Sequence, residues 1–142
     1  DVIVQALAAP YEERSDYLLE SFFRQGRLYF TPEELEPILT LSQQKPTINV
    51  VYLDRAAILT EIAEVSEALV VHYDSIPEVI AELLFGEFEP EGKLPFELPR
   101  SQAAVAAQAE DAPYDSENPL FPFGHGLSYT QKIDTLSTNS IN

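Results

Sequence analysis

Carboxylates stand beside an arginine or a tyrosine where short apolar runs give way to polar segments. The three places are Pro10-Tyr11-Glu12-Glu13-Arg14, Asp54-Arg55 and Asp74-Ser75. A carboxyl group in a partly desolvated mouth has its pKa raised toward working pH, which suits proton transfer on a polar, uncharged substrate. Other chemistries are thinly supplied. With Cys 0 there is no thiolate nucleophile, no disulfide and no Cys-ligated zinc. His72 lies inside an apolar run, where a lone histidine is expected to be a hydrogen-bonded core residue, and His125 stands far from metal-ligand spacing with it. The stretch Gly86 to Leu94 imitates a phosphate loop, but five residues intervene where four are needed and Leu94 replaces the magnesium-binding hydroxyl. Its glutamates would also repel a triphosphate.

The elements that must position the three mouths follow from periodicity. Val2-Ile3-Val4, Ile48 to Leu53 and Ala68 to Tyr73 are short, β-branched-rich runs, as expected of strands buried on both faces of a parallel sheet. Thr31-Pro32-Glu33-Glu34 combines a cap, a proline for the first helical position and a capping-box glutamate, predicting a helix over 32–42 with a kink at Pro37. A weaker helix is predicted over 57–67. Ser75-Ile76-Pro77-Glu78 repeats the start signal, with Gly86 placed to end that helix. The alternation β-α-β-α-β-α implies an α/β fold with a mostly parallel sheet, and ligands of such sheets bind at the carboxyl ends of the strands. Beyond Gly92 the chain turns rich in proline, glycine and aromatics around one Ala-rich helix at 102–109, which reads as an ordered wrap.

The whole chain has 142 residues, 45% of them hydrophobic, enough for one domain with a buried core. Its net charge of −16 would repel nucleic acid and anionic membranes, so neither is expected as a partner. No apolar run approaches the roughly 20 residues of a membrane-spanning helix. The chain opens at Asp1 without a Met, and is expected to be cut or processed there. The absence of cysteine fits several compartments equally.

Two signatures resemble a known family. Gly86-Glu87-Phe88-Glu89-Pro90-Glu91-Gly92-Lys93-Leu94-Pro95-Phe96, then Pro113-Tyr114-Asp115 and Pro119-Leu120-Phe121-Pro122-Phe123-Gly124-His125-Gly126-Leu127-Ser128-Tyr129, are similar to the C-terminal α/β-sandwich domain of glycoside hydrolase family 3. The resemblance implies a three-layer sandwich of about six strands in the family, of which this chain is a partial, N-terminally incomplete copy over 1–129, followed by a polar tail at 130–142. It implies a retaining, exo-acting β-glucosidase or β-xylosidase, with the nucleophile on a barrel domain and the acid/base on a loop of the sandwich. Pro10-Tyr11-Glu12-Glu13 resembles that loop, so either Glu12 or Glu13 is the candidate catalytic residue. Tyr11 and Arg14 are the candidate substrate-binding residues, and Phe121, Phe123 and Tyr129 are expected to pack rather than to hold sugar. The substrate would be a β-linked oligosaccharide or glycoside, with no cofactor and no metal. The barrel would be a partner domain or subunit, and the truncated sheet would offer an edge for a second copy. The alternative is a non-catalytic structural or interaction fragment without turnover.

Overall fold

The computed structural model describes residues 1–13, 18–19 and 22–129. Arg14 and the tail at 130–142 lie outside the described residues. In chain order the elements are β1 (Ile3–Ala8), α1 (Pro32–Gln44), β2 (Thr47–Tyr52), α2 (Thr60–Val65), β3 (Ala68–His72), α3 (Pro77–Leu84) and α4 (Gln102–Ala107). The three strands form one parallel sheet in the order β1-β2-β3. Val4 stands opposite Ile48 and Ile48 opposite Ala68, so Val50 sits between Ala6 and Val70.

Helix α1 starts as its sequence dictates. The Thr31 hydroxyl accepts from the Glu34 N–H at 3.4 Å, and the Thr31 N–H donates to the Glu34 carboxylate at 2.8 Å, with Pro32 in the first turn. The helix runs through Pro37 and ends two residues later than expected, because a proline removes only the one hydrogen bond it would have donated. The second helix is shorter than its predicted span. Ala57, Ile58 and Leu59 are buried outside it, and the Ile58 N–H donates to the Leu28 carbonyl at 2.7 Å, so a tertiary contact takes the backbone before the helix can. Helix α3 has Ile76, not Ser75, at its cap position, and ends at Gly86, whose φ of 76° is the left-handed conformation that favours glycine. Helix α4 stops at Ala107, short of the predicted end, where Gln108 turns extended.

The core lies on one face of the sheet. Val51 and Leu53 pack with Ile38 of α1, Ile62 of α2, Leu59 and Leu98. Burying each such side chain stabilises the fold by about 1.5–3 kcal/mol. The expectation that all strands are covered on both faces fails for β1, where burial alternates along the strand and Val4 is 56% exposed. No described element covers that side, so an apolar run that would suit a fully buried strand presents one face to solvent. The wrap closes over the core end. Leu98 and Phe121 pair as a two-residue bridge, the Leu94 N–H donates to the His125 carbonyl at 2.8 Å, and the Gly124 N–H donates to the Leu94 carbonyl at 2.9 Å. Gly124 has φ 76°, and a side chain at Gly126 would collide with the Gly92 carbonyl and Lys93, so both glycines serve backbone packing. Phe121 stacks on His125 at 4.7 Å, Phe123 meets Tyr114 at 4.4 Å, and the Tyr129 hydroxyl donates to the Leu83 carbonyl. The phosphate-loop imitation is thereby explained: Gly86 caps a helix, Leu94 is core, and Lys93 donates to the Gly126 carbonyl at 2.6 Å.

Candidate active site

The three strands end together, and each delivers a candidate side chain there. Beyond β1, Tyr11, Glu12 and Glu13 follow one another in a segment whose middle residue is fixed by the backbone. The Glu12 N–H donates to the Gln25 carbonyl at 2.8 Å, closing an antiparallel bridge that draws the distant segment 24–29 alongside. That segment turns at Gly26, with φ 81°, and the Glu12 side chain occupies the space a Cβ there would need. Glu12 is therefore half-buried against backbone, whereas Glu13 is exposed and accepts from the Tyr11 hydroxyl at 3.4 Å.

From the end of β2, Arg55 fastens the same segment. Its guanidinium donates to the Arg24 carbonyl at 3.3 Å and to the Gly26 and Arg27 carbonyls at 2.6 Å each. Asp54 pairs with the Arg24 Nε at 3.1 Å. The Arg24 guanidinium also lies over the Tyr11 ring at 4.8 Å and within 5.4 Å of the centre of the Tyr52 ring. Tyr52 touches His72 of β3, ring centres 5.6 Å apart, and the Ser75 N–H donates to His72 Nδ1 at 3.2 Å. That bond assigns the neutral histidine's proton to Nε2. His72 is hydrogen-bonded as expected but half-buried, outside the core that the expectation gave it. Asp74, with φ 67°, makes the turn after β3.

Farther along, Arg27 donates two hydrogen bonds to Glu34, at 2.6 and 2.7 Å. These bonds hold the Glu34 carboxyl below its ordinary range against the opposing effect of burial, and raise Arg27 above its own, with Glu12 adding a smaller charge contribution. Burial pushes the Tyr73 phenol up. Of the sequence-derived candidates, the structure brings Tyr11 and Glu13 together and turns Glu12 toward Gly26. Arg24 and Gly26 were not among those candidates. Their one sequence signal is a glycine among arginines, Arg24-Gln25-Gly26-Arg27, in a long segment between strand and helix.

The arrangement can hold a carboxyl group, oriented by a tyrosine, at the open carboxyl end of a parallel sheet. Comparison with known proteins gives this end a context. The chain is 46% identical over 121 residues to β-glucosidase C of Emericella nidulans, covering 85% of this chain and 19% of that protein. It is 36% identical over 132 residues to a periplasmic β-glucosidase/β-xylosidase of Dickeya chrysanthemi, covering 91% and 20%. The fold matches a crystal structure of a Listeria innocua β-glucosidase in complex with isofagomine at TM-score 0.69 and 22% identity, over 91% of this chain and 20% of that one. The chain thus spans about a fifth of the length of these relatives. The model of the glycosyl hydrolase family 3 C-terminal domain matches residues 6–129, nearly everything described, and the chain belongs to that family.

Proposed function

We propose that this chain supplies the acid/base loop and part of the sugar-site wall of a retaining, exo-acting β-glycosidase of the β-glucosidase or β-xylosidase type. Its substrate is a β-linked oligosaccharide or glycoside, and a barrel domain, in the same protein or a partner subunit, carries the nucleophile. The observation that supports this most is the position of Tyr11 and Glu13 at the end of β1 in a chain of this family.

Of the two glutamates, Glu13 is the acid/base. Its carboxyl faces solvent beside Tyr11, while the half-buried Glu12 side chain lies against Gly26, next to the backbone bridge its own N–H makes with Gln25. In the first step the Glu13 carboxylic acid donates its proton to the glycosidic oxygen as the C–O bond breaks and the nucleophile takes the anomeric carbon. In the second, the Glu13 carboxylate removes a proton from the water that displaces the nucleophile. The two carboxyl groups then stand about 5–5.5 Å apart. Tyr11 orients Glu13, and Arg14, next in sequence, is with Tyr11 a substrate-binding residue. The outer strands, β1 and β3, and the exposed Val2 and Val4 side of the sheet form the surface for the rest of the parent protein or a second copy.

Glu12→Gln and Glu13→Gln in the full-length protein test the assignment. General acid catalysis contributes about 10²- to 10⁴-fold. Glu13→Gln is expected to lose a factor in that range in kcat/KM on an alkyl glycoside while retaining most of it on a dinitrophenyl glycoside, whose leaving group needs no proton. Equal losses on both substrates from Glu13→Gln, or the selective loss from Glu12→Gln, would overturn it.

A further inference from the structure

Arg24 is remote in sequence from the loop it serves, and three independent contacts hold it there. Its carbonyl is fixed by Arg55 at 3.3 Å, its Nε by Asp54 at 3.1 Å, and its guanidinium face lies 4.8 Å from the Tyr11 ring centre. The Tyr11 hydroxyl in turn donates to Glu13 at 3.4 Å. We propose that Arg24, anchored by Asp54, is a positioning residue of the reaction: it fixes the plane of Tyr11 and through it the carboxyl of Glu13. The inference rests on the reading of Glu13 as the acid/base.

The chemistry favours arginine for this task. A guanidinium is planar, so it can lie over a ring while its edge still donates to a carboxylate, and its charge persists at every working pH. Lysine, a point charge on a flexible stem, can keep the attraction to Asp54 but cannot present a flat face. Arg24 is also not an idle surface charge. Its side chain is 37% exposed and Asp54's is 22% exposed, so the pair is partly sheltered, and Tyr52 flanks the guanidinium at 5.4 Å. The link connects two strand ends: Asp54 follows β2, and Tyr11 follows β1. The acid/base side chain, beyond the backbone bridge at Glu12, is thereby referred to the rigid sheet, and displacement by about 1 Å at a reacting centre can cost about 10² in rate.

The test uses the full-length protein and compares kcat/KM on an alkyl glycoside with that on a dinitrophenyl glycoside, because only the first needs the acid. Arg24→Gln is expected to lower the alkyl value by about 10- to 100-fold while changing the dinitrophenyl value less than about threefold. Azide should raise its kcat on the dinitrophenyl substrate, as expected when a misplaced base slows deglycosylation. Arg24→Lys should recover only part of the loss, and Asp54→Asn should show the same selectivity at smaller size, so the proposal stays testable if Arg24→Gln does not fold. Tyr11→Phe combined with Arg24→Gln should be no worse than the worse single change, since both act along one path. A uniform loss on both substrates, or none, in the Arg24 and Asp54 variants overturns the positioning role while a selective Glu13→Gln leaves the acid/base reading standing. Absence of selectivity in Glu13→Gln overturns that reading and the positioning role with it.

Discussion

At the scale of single residues, Gly26 is where the loop beyond β1 and the distant arginine segment meet. An L-residue at φ 81° costs about 1–2 kcal/mol, and a Cβ there would strike the Glu12 side chain. Gly26→Ala is therefore expected to destabilise the protein by at least about 1–2 kcal/mol and to displace Glu12. Loss of amide-exchange protection at Glu12, whose N–H donates to Gln25, would be the measured sign. The candidate carboxylates and Tyr11 were legible in the sequence because they follow an apolar run directly. Arg24 was not, because it reaches the site through a bridge between residues 12 and 25, and no periodicity encodes such a bridge.

At the scale of elements, α1 is the best-specified piece, and its capping box was readable to the residue. Thr31→Ala is expected to cost about 1 kcal/mol, within the range of 0.5–2 for lost caps. That corresponds to a several-fold drop in amide protection along the first turn of α1. Glu34 couples the helix to pH. Its carboxyl is held below the ordinary range mainly by the hydrogen bonds from Arg27, so its contribution is fully present above the ordinary carboxylate range and is lost as pH falls through the lowered value. The Glu34 side chain is 42% exposed although that of Arg27 is only 16% exposed, and solvent screening at the carboxylate confines the effect to about 1 kcal/mol or less. Glu34→Gln should therefore reduce stability at neutral pH and make no difference once the pH is acid enough to protonate Glu34, as read from urea melts at several pH values. The strands were legible as elements, their coverage was not. An apolar run reports that both faces can be buried, and β1 leaves one of them open because no described element lies over it.

At the scale of the whole molecule, charge and surface oppose each other. A net charge of −16 keeps copies apart, while the outer strands and the exposed Val2 and Val4 favour contact. Association of the chain is expected to strengthen as salt screens the repulsion, with a Debye length of about 10 Å at 0.1 M, and light scattering across a salt series measures it. A monomer at every salt concentration would show that the three-stranded sheet needs no partner. The chain by itself is expected to turn over no nitrophenyl glycoside. It spans about a fifth of its relatives, and an acid/base without a covalent nucleophile lacks half of the retaining mechanism.

The proposed role of Glu13 as proton donor and acceptor of a retaining glycosidase is open to one product analysis. With Glu13→Ala in the full-length protein, a dinitrophenyl glycoside and added azide, the glycosyl-enzyme should be intercepted by an anion that needs no base. A β-configured glycosyl azide, identified by NMR, is expected from Glu13→Ala and none from Glu12→Ala. A glycosyl azide from Glu12→Ala alone, or none from Glu13→Ala while it still hydrolyses the substrate at the wild-type rate, would contradict it.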